Sequence, residues 1–218
     1  MRDYLILRLQ GVMQSWGGHT YEDYRPSGIF PTRSGLVGLI AACLGIDRDD
    51  LDEQQKLANS FIFAVRSDAG TYPLAKISDF HTVLEARKVS GKPNDNPVVS
   101  RREYLCDARF TVALNFQSNG AYTLEMIKTA LQRPVYTPFL GRRSCPITAP
   151  LYEGVVSAEN LLQAFSRMQP GKGTVYSEES EGSVNRLSLR DVPLTTGVRQ
   201  FGSRTVFIHA EGGDYVSK

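Results

Sequence analysis

The sequence predicts an α+β fold, and two patterns carry that expectation. Four segments read as strands: Tyr4 to Leu9, Phe61 to Val65, Phe110 to Phe116 and Tyr152 to Val156. Two others repeat apolar residues at helical spacing, one opening after Pro31 and one from Leu124. In chain order they give strand, helix, strand, insertion, strand, helix, strand, the order of a ferredoxin-like domain.

In Tyr4 to Leu9, Leu5, Leu7 and Leu9 fall on one face and Tyr4, Ile6 and Arg8 on the other, which predicts a half-buried strand. Gly11 through Pro31 is irregular, rich in Gly and Pro, with Trp16, Tyr21, Tyr24 and Phe30 interspersed, and reads as a large surface loop. The first helix carries Leu36, Leu39, Ile40, Cys43 and Leu44 at i, i+3, i+4, i+7 and i+8. Thr32 or Ser34 is placed to cap it and Gly45 to end it. Asp47 to Glu53 suits the start of a second short helix, where carboxylates oppose the positive end of the dipole, and is expected to face solvent or a partner protein. Residues 78–109 form the insertion: two extended arms, Asp79 to Glu85 and Arg101 to Asp107, joined by a polar tip at Gly91 to Pro97. From Arg87 to Arg109 it holds six basic residues against three acidic ones, so the hairpin is locally positive. Leu124, Ile127, Ala130 and Leu131 mark the later helix, capped by Thr123 and stopped before Pro134. Beyond Val156 the signal is thinner, with strand candidates at Arg186 to Arg190 and Thr205 to His209.

At 218 residues and 41% hydrophobic content, the chain can bury a substantial core. Its 25 basic and 23 acidic side chains leave a net charge of only +2, so any affinity for nucleic acid must come from how the charges are arranged. The amino terminus enters a strand-like run without the apolar stretch of a signal peptide or membrane span, and a soluble cytoplasmic protein is expected. Cys43, Cys106 and Cys145 are far apart and form no C-x-x-C pair, which points to reduced thiols rather than a disulfide framework or a zinc site.

The arginines carry the functional signal. Between Lys128 and Tyr152 every charged residue is positive, and within that stretch Gly141 lets the backbone approach a ligand while Arg142 and Arg143 offer planar forks for phosphate oxygens. A loop that merely pairs with the protein's own carboxylates would look the same. Arg33-Ser34-Gly35 is a second anion candidate, because Arg33 sits at the wrong end of the helix dipole for a cation unless an anion joins it there. Trp16, beside Gln14 and Ser15 in the loop that also holds Arg25, is suited to stacking on a base or to packing in a core. On the hairpin arms, Arg101, Arg102 and Tyr104 stand opposite the Phe80-His81 region. Arg199 and Arg204 frame a further glycine near the end. His19, His81 and His209 fit no metal-binding spacing, and neither a nucleophile elbow nor a phosphate-binding P-loop is present, so no cofactor, metal or catalytic set is expected. A metal-independent ribonuclease with His81 or His19 as general base remains the alternative.

Several blocks together resemble one family: Tyr4 to Leu9, Met13-Gln14-Ser15-Trp16-Gly17, Phe30 to Gly35, Arg102 to Asp107 and Tyr136 to Pro146, with Tyr176 to Ser180 and Arg199-Gln200-Phe201 extending the likeness. They resemble the Cas-five family of the type I-E CRISPR Cascade complex, from Met1 to about residue 210. The resemblance implies a RAMP-type (RRM-like) ferredoxin-like domain over 1–157, with a projecting thumb at 78–109. A smaller β-rich C-terminal extension, 158–218, would pack on the same core. It also implies a non-catalytic subunit that caps the 5′ handle of the crRNA, contacts the Cas-seven backbone and Cas-eight large subunits, and meets target DNA only through the complex. Carried over, Arg33, Ser34, Arg142, Arg143 and Ser144 would grip the handle, with His81, Arg101 and Tyr104 at the thumb. In type I-E systems a separate Cas-six subunit cuts the crRNA. The type I-C relative cuts it with a Tyr, Lys and His set, and a Lys-His pair is missing from the matching region here.

Overall fold

The computed structural model describes residues 1–18, 20, 23–68, 74–88, 90–169, 171–194 and 200–211. Strand β1 (Arg2–Gln10) runs into four two-residue strands, β2 (Met13–Gln14), β3 (Trp16–Gly17), β4 (Tyr24–Arg25) and β5 (Ser27–Gly28). Helices α1 (Arg33–Leu44) and α2 (Leu51–Asn59) precede β6 (Phe61–Asp68). The hairpin strands β7 (Ala75–Val83) and β8 (Val98–Cys106) come next, then β9 (Arg109–Phe116), α3 (Leu124–Gln132) and β10 (Tyr152–Ala158). The last third holds α4 (Leu161–Ser166), β11 (Gly173–Ser177), β12 (Asn185–Leu194) and β13 (Gln200–Glu211). Among the described residues no helix is long and apolar enough to cross a membrane.

The helix ends follow from local chemistry. Thr32 Oγ1 accepts from the Gly35 N–H, meeting a donor that the first turn cannot satisfy, so Thr32 rather than Ser34 is the cap of α1. Gly45 ends it at φ +78°, and the Gly45 and Ile46 amides close onto the Ala42 and Ala41 carbonyls. Asp50 caps α2, with Asp52 and Glu53 in its first turn, and Thr123 caps α3.

A seven-stranded sheet runs in the order β10-β1-β9-β6-β11-β13-β12, with every neighbouring pair antiparallel. Helix α1 lies on the connection from β1 to β6, and α3 on that from β9 to β10. Leu5, Leu7 and Leu9 pack beneath these helices with Leu36, Ile40 and Ile127. β1 is not half-buried as its alternation suggests. Tyr4 and Ile6 are also fully buried, against Ala64, Ala113 and Val175 under Leu161 and Phe165 of α4. The outward face expected for Tyr4 and Ile6 is an inner face because α4, too short to announce itself by periodicity, covers it. Beneath α4 lies a fully buried arginine. Arg66 bonds Asp68, Thr111 and the Phe165 and Met168 carbonyls at the end of α4, so its charge is matched and its donors are used.

The stretch from Gly11 to Pro31 also departs from expectation. In its described part it is a docked layer rather than a surface loop: β2 pairs with β8, β3 with β5, and β4 runs parallel to β8. Gln14, Ser15, Trp16 and Ser27 are buried there. β8 is therefore shared between this layer and its hairpin partner β7, whose register sets His81 opposite Ser100 and Phe80 opposite Arg101.

Candidate nucleic-acid interface

Three segments meet where β8 enters the body of the protein. The parallel pairing of β4 and β8 sets Tyr24 beside Arg101 and Arg25 beside Arg102. The third segment is the turn at 140–145, closed by the Leu140 amide on the Cys145 carbonyl (2.9 Å) and the Cys145 amide on the Arg142 carbonyl (2.8 Å). It docks because Ser15 N–H donates to the Leu140 carbonyl at 3.0 Å and because residue 141 is glycine. At φ +85°, a Cβ on Gly141 would stand 1.8 Å from the Ser15 carbonyl oxygen, so any other residue would push the turn away.

That docking aims Arg142 across Tyr104, its guanidinium carbon 4.8 Å from the ring centroid. Its two terminal nitrogens donate to the Glu103 carbonyl (3.1 Å) and the Arg25 carbonyl (3.0 Å). Arg142 is thus a half-buried tie between segments. Its neighbours Arg143 and Ser144 are exposed, and so is Arg101. Arg102 Nε donates to Ser100 Oγ at 3.1 Å. Tyr104 hydroxyl and His81 Nε2 lie 3.0 Å apart, with an Asp79 carboxylate oxygen 3.6 Å from the same nitrogen.

Arg25, Arg101, Arg102, Arg142 and Arg143 therefore gather around the root of the β7–β8 hairpin, with Asp79 and Glu103 as acidic neighbours. Glu103 accepts from the Tyr24 hydroxyl at 2.5 Å, the Ser27 amide at 3.0 Å and Lys76 Nζ at 3.1 Å. The Tyr24 hydrogen bond, with the Ser27 amide and Lys76 behind it, holds its carboxyl below the usual range against the opposing effect of burial. The same bond raises the Tyr24 phenol above its usual range.

Other expected contacts lie elsewhere. Gln14 and Trp16 are fully buried, the indole N–H donating to Gln14 Oε1 while Gln14 Nε2 donates to the Leu9 and Ala108 carbonyls. With no ring face open, Trp16 packs rather than stacks on a base. Ser15 spends its hydroxyl on the Glu103 carbonyl. The indole is nevertheless a spacer: a Cβ on Gly35 would lie 3.0 Å from it and one on Gly141 3.6 Å, so the start of α1, with Ser34 partly exposed, flanks the same ring as the 140–145 turn.

Arg33 and Arg204 are corrections of a different kind. An anion does sit at the start of α1, but it is the protein's own: Asp191 accepts from the Arg33 amide at 2.7 Å. Glu178 takes the Arg33 guanidinium at 2.5 Å, and the remaining fork of Arg33 donates to the Ala58 carbonyl. Arg204 holds Asp191 with two nitrogens at 2.7 and 2.8 Å and reaches Glu178 at 3.3 Å. Both arginines are nearly buried and already neutralised, so neither presents a phosphate grip. Arg199 and His19 lie outside the described residues. Tyr24, Ser27, Lys76 and Glu103 went unseen in the sequence. Only the run Arg102-Glu103-Tyr104 hinted at Glu103, as an acid flanked by cationic and aromatic neighbours.

Residues 4–207 match the family model described as CRISPR-associated protein (Cas5). The chain is 46% identical over 221 residues to the CRISPR system Cascade subunit CasD of Escherichia coli (strain K12), covering 98% of this chain and 99% of that protein. Among solved structures, a chain of a CRISPR RNA-guided surveillance complex aligns with a TM-score of 0.70 and 29% identity, over 94% of this chain and 88% of that one. A second, described as a Cas protein crystal structure, aligns with a TM-score of 0.63 and 27% identity, over 96% and 98%.

Proposed function

The chain belongs to the Cas-five family of CRISPR-associated proteins, and on that premise we propose that it is the crRNA-holding subunit of a type I-E Cascade complex. In this reading it caps the 5′ handle of the crRNA in the cytoplasm without cutting it. It joins the Cas-seven backbone to the Cas-eight large subunit and meets target DNA only through the assembled particle. The observation that carries the reading is the arginine cluster at the hairpin root, where Arg101 and Arg143 are exposed on a framework fixed by Arg142. Exposed guanidinium forks beside a glycine turn suit phosphate oxygens, and their affinity falls with salt as counterions are released.

The order β10-β1-β9-β6, with helices on both crossovers, supports a ferredoxin-like RAMP domain over 1–157, and the β7–β8 hairpin is its thumb. Pairing of β11 with β6 supports an extension, 158–218, built on the same core. In the RNA grip we place Arg25, Arg101, Arg102, Arg143 and Ser144, with His81, Tyr104 and Ser34 bordering it and Arg142 fixing it.

The test is the double variant Arg101→Ala, Arg143→Ala, titrated with a labelled single-stranded RNA carrying the repeat's 5′-handle sequence. Binding is expected to weaken by about tenfold or more, and the plot of log affinity against log salt to become shallower by about 1.4, two phosphates' worth on a single strand. Unchanged affinity and slope would overturn the reading. Incubation of the wild-type protein with labelled repeat RNA in EDTA should give no product, and a defined cleavage product would refute the non-cutting role.

A further inference from the structure

We infer that Glu103 is a positioning residue for the RNA grip, an acid whose contribution to holding a polyanion is favourable because of what it ties together. The inference rests on the RNA-holding role proposed above.

Glu103 stands near the middle of β8, its side chain only 18% exposed, and joins three other segments through both its side chain and its backbone. The carboxylate takes the Tyr24 hydroxyl and Ser27 amide of the Gly11–Pro31 layer and the Lys76 ammonium of β7. Lys76 in turn reaches back to the Ser27 carbonyl at 2.7 Å, closing a ring of contacts. On the backbone side, the Glu103 carbonyl accepts from Ser15 Oγ at 3.0 Å and from Arg142 Nη1 at 3.1 Å. Arg142 extends the chain to the Arg25 carbonyl. Glu103 thus adds a side-chain tie between β7, β8 and the segment that carries Arg25, and a backbone tie to the turn that carries Arg143, on top of the β4–β8 pairing and the Ser15–Leu140 bond.

Its charge should have the opposite effect. A carboxylate among five arginines repels phosphate and cancels part of the cationic field, so on electrostatics alone its removal strengthens RNA binding. If the carboxylate positions the grip, its removal weakens binding. The two accounts predict opposite signs, which a purely structural description would not separate.

The full-length protein is titrated with the labelled 5′-handle RNA, comparing wild type, Glu103→Ala, Glu103→Gln and Tyr24→Phe. Glu103→Ala keeps the backbone carbonyl that holds Ser15 and Arg142 but loses the carboxylate tie to Tyr24, Ser27 and Lys76. It is expected to bind roughly tenfold more weakly, the size of one or two lost hydrogen bonds to a charged group, and with a shallower salt slope as the Arg25 segment loosens against β8. Glu103→Gln keeps an acceptor for the Tyr24 hydroxyl and should recover part of the loss. Tyr24→Phe removes a single hydroxyl and should weaken binding about threefold. Phe165→Leu, in α4 on the other face of the sheet, serves as the control: it should lower the melting temperature without changing RNA affinity in the folded state. Equal or tighter binding by Glu103→Ala overturns the inference. If that variant does not fold, unchanged binding by Tyr24→Phe overturns it instead. Loss of binding in the Arg101→Ala, Arg143→Ala variant with none in the Glu103 series defeats only the positioning role, whereas retention in both defeats the RNA reading itself.

Discussion

Arg33 and Arg204 divide two carboxylates, Glu178 and Asp191, between them, and the pair spans 145 positions from Arg33 to Glu178. Local chemistry at Arg33 correctly requires an anion, since a guanidinium at a helix start opposes the dipole. What it does not contain is the source of that anion, which lies in the last third of the chain. Arg142, by contrast, looks from sequence like a twin of Arg143, yet one is a tie and the other is exposed. Charge is legible residue by residue, and pairing is not. Replacing Glu178 with Ala leaves two nearly buried cations short of a partner and is expected to destabilise the protein by about 3 kcal/mol, read as a shift in the urea midpoint. Glu103 gives a pH dependence. Its native-state value is held below the ordinary 4.5, so it contributes stability above that pH which is lost as the pH falls through the lowered native value. Acid titration of unfolding should therefore show a shallower low-pH loss for Glu103→Gln than for wild type, and superimposable acid arms would contradict the assignment.

Elements differ in how much of themselves they announce. The caps of α1 and α3 and the glycine stop of α1 are written within a few residues of where they act, and the structure has them in place. β1 is legible as a strand, but its burial on both faces depends on α4, a six-residue helix with too few turns to show a period. The Gly11–Pro31 layer is hidden for a related reason: its two-residue strands leave no alternation to read, and Trp16 is buried by the meeting of α1 with the 140–145 turn. If α4 seals the second face, Phe165→Ala should cost about 3–4 kcal/mol, as expected for a large side chain removed from a packed site. Equilibrium unfolding measures it, and a cost below about 1 kcal/mol would show that face to be loosely packed.

At the scale of the molecule, the order of the long elements β1, α1, β6, β9, α3 and β10 is readable because each is long enough to carry its own period. The addition of β11, β13 and β12 to the same sheet is not. β11 is five residues long, and its place between β6 and β13 is a fact of pairing rather than of composition. The larger of the two buried clusters also sorts the thiols. Cys43 and Cys145 are fully buried, and burial raises both, Cys43 to about 12. Cys106 is partly exposed. In native protein a thiol reagent at neutral pH should modify Cys106 first, with Cys43 and Cys145 reacting only on unfolding, as peptide mapping of the labelled sites would check.

The position of β1 also sets a timetable. One side of this strand is matched by β9, beginning with Gln10 opposite Arg109, and the other by β10, which ends at Ala158. A ribosome adding about 5–20 residues per second needs roughly 5–20 s to travel from β1 to its first partner, and longer to reach its second. Throughout that interval a strand buried on both faces in the finished protein has two unpaired edges, and its closure depends on contacts of long sequence separation that form slowly. The nascent chain is thus most vulnerable to aggregation over its first half, before β9 has been made.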